Sequence, residues 1–107
     1  MGEIVSDIIS PVNILGEYLS VIGERIRTLR EFKGLSRRDL EKLTGIEEYK
    51  WKSVESGKQN ANEHHIAAVA ALWPEYKHWL VFGETLPEAG QISPEIEETR
   101  RNLNGAG

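Results

Sequence analysis

Glycines at positions 34, 45, 57 and 83 cut the stretch from Ile22 to Glu84 into pieces only a few helical turns long. That punctuation constrains the fold more than any other feature. Apolar residues within each piece recur at helical spacing, and no alternating β pattern is persuasive. Ile22, Ile26, Leu29 and Phe32 form one stripe. Gly34 ends that helix by supplying a left-handed conformation that other residues resist. Ser36 fits an N-cap, since its hydroxyl can accept a bond from a free backbone N–H. Leu40 and Leu43 are expected to face inward from the second helix, Gly45 to end it, and Ile46 to tuck under the turn. A third helix is predicted from about 47 to 56, with Trp51 and Val54 inward and Gly57 as its stop.

Gln59-Asn60-Ala61-Asn62 reads as a polar loop, with Asn62 as N-cap of a fourth helix. That helix carries Ile66, Val69, Ala70, Leu72 and Trp73, and Pro74 closes it. A short fifth helix, about Tyr76 to Val81, is expected to bring Trp79, Leu80 and Phe82 to the core, with Gly83 ending the compact unit. The flanks differ from this centre. Residues 3–19 hold Ile4, Val5, Ile8, Ile9, Val12, Ile14, Leu15, Tyr18 and Leu19, too apolar for a solvated arm. They are expected to pack on their own domain or on a second copy, with a helix around 12–20. Ser93-Pro94-Glu95 reads as an N-cap, a proline at N1 and an early acid, so a short helix to about Asn102 is predicted, with a frayed end from Asn104. The organisation is then an N-terminal apolar arm (1–20), a central domain (21–84) and an acidic tail with a short helix (85–107).

A chain of 107 residues suits one domain with tails. It has no cysteine, which excludes disulfides and thiolate metal sites and fits a reducing cytoplasm. The N-terminus is apolar but lacks a basic region and is interrupted by Pro11. It reads as neither a signal peptide nor a membrane span. The net charge of −4 has the wrong sign for a generic nucleic-acid binder, but its distribution is uneven. Residues 23–60 hold ten of the thirteen Lys and Arg and seven of the seventeen acids, so that segment is +3 and the remainder −7. A basic segment in an acidic protein can direct phosphate contact to one face.

The second and third helices, joined at a Gly-centred turn, have the arrangement of a helix-turn-helix, whose second helix enters the DNA major groove. The segment Ile22 to Glu84 resembles the lambda repressor/Cro-like helix-turn-helix family, also called the XRE family. The resemblance is carried by Ile-Gly-Glu-Arg-Ile-Arg-x-Leu-Arg, Lys-Gly-Leu-Ser, Leu-x-x-Leu-x-Gly-Ile, Val-Glu-x-Gly-Lys and Trp-Leu-x-x-Gly in that order. It implies an all-α, five-helix domain that binds double-stranded DNA in a sequence-specific way, usually as a homodimer on a palindromic operator. By resemblance, Arg37 stands where the family often has a phosphate-gripping Gln. Glu48 and Tyr49, then Lys52 and Ser53 one turn later, fall at base-reading positions. Ser56, Lys58 and Asn60 fall in a loop that touches the backbone, and Arg38 and Lys50 join Arg37 as candidate phosphate contacts. Glu55 matches a position that is mainly structural. Glu47 opens the third helix where the family prefers Ser or Thr, and Trp51 replaces an inward Ile or Val.

Other chemistries find little support. His64 and His65 point about 100° apart on a helix and His78 lies on another, so packing or surface roles are expected rather than metal binding. There is no nucleophile elbow, phosphate-binding glycine loop or framed carboxylate pair, so no enzyme and no cofactor is expected. The rival reading is a protein-binding module on the same fold: an antirepressor, an adaptor or an antitoxin partner.

Overall fold

The computed structural model of the chain describes residues 11–105; residues 1–10 and 106–107, and the side chains of 11–19, lie outside the described part. The expected packing of Ile4, Val5, Ile8, Ile9, Val12, Ile14, Leu15, Tyr18 and Leu19 falls there. The regular elements of the described chain are all helices, apart from an isolated bridge between Leu86 and Gln91. In order it forms α1 (Pro11–Phe32), α2 (Arg37–Thr44), α3 (Glu48–Glu55), α4 (Glu63–Leu72), a 3-10 turn (Pro74–Tyr76), α5 (Lys77–Phe82), a second 3-10 turn (Pro87–Ala89) and α6 (Pro94–Gly105). No described helix is long and apolar enough to cross a membrane.

The first helix differs from expectation. The predicted arm helix and the first core helix are one continuous element, Pro11–Phe32. Nothing between them breaks a helix, because Gly16 and Gly23 cost helix propensity but impose no turn. At Gly23 α1 runs close against α3, and a β-carbon at that position would overlap the carbonyl of Val54. Backbone cannot yield as a side-chain tip can. Gly23→Ala is therefore expected to destabilise the domain by about 1–3 kcal/mol, the range for overpacking. Urea unfolding tests this, and an unchanged midpoint would mean that the two helices do not cross there.

Ile22, Ile26, Leu29, Leu40, Trp51, Val54, Val69 and Leu80 lie in the core, as the helical stripes predict; Tyr76, expected only to open the fifth helix, and Ala61, expected in a polar loop, are buried with them, and Phe32, Ile46 and Trp79 pack at the edge. Two residues expected inside are outside: Leu43 is 53% exposed and Phe82 57%. Each stands in the last turn of its helix. Phe82 instead lies against His78, one turn back on the same helix, with ring centres 4.9 Å apart.

The compact unit does not end at Gly83. Ile92, Ser93 and Pro94 are buried, and the Ile92 N–H donates to the Glu75 carbonyl at 2.9 Å. Gln91 staples this return: its Oε1 accepts the His78 N–H at 3.0 Å, and its Nε2 donates to the Pro74 carbonyl at 3.1 Å. From there α6 packs against α1, where the Arg101 guanidinium lies 4.7 Å from the Phe32 ring centre.

Candidate nucleic-acid interface

The start of α2 and the turn that joins it to α3 are both tightly specified. Ser36 and Asp39 form a reciprocal capping box: Ser36 Oγ accepts the Asp39 N–H at 3.0 Å, and Asp39 Oδ2 accepts the Ser36 N–H at 2.9 Å. These bonds stabilise the charged carboxylate and hold Asp39 below its ordinary pKa. Gly45 ends α2 with φ of 78°. Thr44 Oγ1 donates to the Leu40 carbonyl at 2.7 Å and accepts the Ile46 N–H at 3.2 Å, closing the turn.

Glu47 precedes α3 but makes no side-chain cap. The cap comes from the previous helix, where Glu41 Oε1 accepts the Glu48 N–H at 2.9 Å. Capping rules look three residues ahead, so a partner seven residues away leaves no local signal.

The inner side of α3 is anchored in two ways. Trp51 and Val54 are completely buried. The Trp51 ring meets His65 of α4 edge-on, with centres 5.2 Å apart. At the end of α3 the buried Glu55 carboxylate accepts from Arg30 Nε at 2.8 Å and Arg30 Nη2 at 3.0 Å, and from Arg37 Nε at 3.0 Å. Arg30 also donates to the Leu35 carbonyl at 2.7 Å, and its bonds to Glu55 raise its pKa above the ordinary value. One carboxylate thus ties the end of α1 and the start of α2 to the end of α3, the structural role expected of Glu55.

The outer side of α3 carries the candidate readers. Tyr49 is 61% exposed and Glu48 and Lys52 are exposed, and all three line a shallow groove with Glu41 and Glu47. Ser53 is only half-exposed. Arg38 is exposed on α2 and pairs with Glu48 across the turn at 3.6 Å. Lys50 pairs with Glu47 at 3.2 Å, and this contact raises its pKa. Ser56, Lys58 and Asn60 are exposed along the segment after α3, where Ser56 Oγ donates to the Ser53 carbonyl at 3.3 Å.

The same segment is held by His65, which is 3% exposed. Asn62 caps α4 through Oδ1, and its own N–H donates to His65 Nδ1 at 3.1 Å. The ring must therefore be neutral at Nδ1. Burial, followed by the nearby His64 and Lys50, lowers its pKa. A lowered histidine pKa means that the unfolded chain binds the proton more readily. Stability should be full above about pH 6.5, the ordinary imidazole value, and fall as the pH drops toward the lower folded value. His65→Gln, whose amide oxygen can accept the same N–H, should flatten that loss. Unfolding midpoints for both proteins between pH 7 and 5 decide the matter, and parallel curves would contradict it. His64, by contrast, is exposed and lies 3.9 Å from Glu63.

A helix-turn-helix domain family model matches residues 21–72 of the chain. The chain is also similar to the solved structure of Pf6r from the filamentous phage Pf6 of Pseudomonas aeruginosa. The identity is 37% and the TM-score 0.65, over 80% of this chain and 98% of that one. No match is found among curated proteins.

Proposed function

Because the chain belongs to the helix-turn-helix family of the lambda repressor/Cro-like type, we propose that it is a sequence-specific DNA-binding transcriptional regulator, acting as a repressor of bacterial or phage type in the cytoplasm. One observation carries this reading. α3 is clamped from behind by Trp51, Val54 and Glu55 while Glu48, Tyr49 and Lys52 project from its outer side. A rigidly held helix with an exposed polar face is what major-groove entry requires. In this proposal Glu48, Tyr49, Lys52 and Ser53 read base edges, with Glu48 accepting from a cytosine N4 amino group. Arg37, Arg38, Lys50, Ser56, Lys58 and Asn60 supply the phosphate face.

The reading extends to a homodimer on a palindromic operator, with half-sites about 10 bp apart or a multiple of that spacing. Selection of bound duplexes from a random pool, followed by footprinting, tests it. The expected result is a logo with two inverted half-sites. A protein that is monomeric by sedimentation and footprints one half-site would remove the dimer but keep the reader. A folded protein that selects no sequence would turn the reading toward a protein-binding module.

A further inference from the structure

The candidate phosphate contacts are not electrostatically equivalent. Arg38 is held by Glu48 and Lys50 by Glu47. Arg37 is different. It shares Glu55 with Arg30, and Arg30 lies 4.0 Å from Glu31, which also pairs with Arg27 at 3.3 Å. Three guanidiniums against two carboxylates leave one positive charge over, and Arg37 is the end of that chain at the helix-turn-helix face. Its Nε is fixed on Glu55, while neither of its Nη groups has a partner among the described residues. Lys52 and Lys58 make no ion pair among the described residues either.

Resting on the DNA-binding reading above, we propose that Glu47 and Glu48 are specificity-determining residues that act as internal stand-ins for phosphate. They occupy Lys50 and Arg38, so that of the four cations on the phosphate face Arg37 and Lys58 alone are left for the backbone of an arbitrary duplex. A cognate site changes the balance. A cytosine N4 amino group beneath α3 takes the Glu48 carboxylate, and Arg38 is released to a phosphate. One base-edge contact then brings one phosphate contact with it. Exposed ion pairs of this kind are weak individually, which is what an exchangeable pair requires, since a strong one would not open.

Salt dependence reads this directly, because each phosphate neutralised adds about 0.9 to the slope of log K against log salt on duplex DNA. The experiment titrates a random-sequence duplex over a salt series with four proteins: wild type, Glu48→Gln, Arg38→Ala, and the double variant. Wild type should bind weakly with a shallow slope. Glu48→Gln should steepen the slope by about 0.9 per subunit and bind the random duplex about tenfold more tightly at low salt. Arg38→Ala should change the wild-type slope little, yet cancel the steepening when combined with Glu48→Gln. Simple repulsion between Glu48 and DNA would make the Arg38→Ala effect the same in both backgrounds, and that outcome overturns the proposal. If all four proteins melt normally and none binds any duplex, the DNA-binding reading itself fails, and the inference falls with it.

Discussion

Replacing Trp51 by Ala should destabilise the domain by about 3–5 kcal/mol, a large part of what a domain of this size has. The ring is fully buried at the centre of α3 and packs edge-on against His65, so truncation empties the space between α3 and α4. The variant Trp51→Phe separates volume from polarity. Trp51 Nε1 is buried without a hydrogen-bond partner among the described residues, so losing this N–H strands no acceptor there and removes a desolvated donor. The phenyl ring should therefore recover most of the stability. Thermal and urea unfolding of the three proteins measure this. A Trp51→Ala protein with unchanged melting but lost DNA affinity would instead make Trp51 an exposed reader.

Replacing Glu55 by Ala should cost a similar amount, about 3–5 kcal/mol, because it removes one partner of a buried ion pair and leaves the other behind. The Arg30 side chain is 9% exposed and would keep only the Leu35 carbonyl at 2.7 Å and the distant Glu31 carboxylate. Arg37 is affected as well, since its guanidinium loses the bond that orients it. Replacing Arg30 and Glu55 together by Met should restore much of the stability, since well-packed apolar residues often match a buried pair. It should not restore the orientation of Arg37. If Glu55→Ala and the double replacement melt alike, the loss does not arise from an uncompensated guanidinium.

Much of this arrangement is legible in the order of the amino acids. The glycine breaks, the Ile22-Ile26-Leu29 stripe, the inward pair Trp51 and Val54, and the caps at Ser36 and Asn62 each depend on residues within about one turn of each other. Local sterics and hydrogen bonding decide such features, so local sequence reports them. That Glu48, Tyr49 and Lys52 lie on the outside of α3 agrees with the same periodicity, since Trp51 and Val54 define its inside; their choice as base readers came from the family resemblance. What they bind is a proposal from the family resemblance rather than from spacing.

The rest was settled by neighbours distant in sequence. Periodicity puts Leu43 on the same face as Leu40, but it does not say how far along α2 a partner covers that face, and Leu43 is left in water. Gly83 reads as the end of the compact unit, yet Gln91 and Ile92 bond back to the turn at Pro74–Glu75 and fold the following segment onto the core. Glu41 caps a helix to which it does not belong, and Glu55 gathers two arginines 25 and 18 residues away. From α2 to α4 the amino-acid sequence by itself determined where helices begin, end and turn most of their apolar residues, because those are short-range effects of backbone and side-chain chemistry. Only the tertiary structure decided which carboxylate meets which cation, because a charge reaches whatever the fold brings within a few ångströms, whatever its position in the chain.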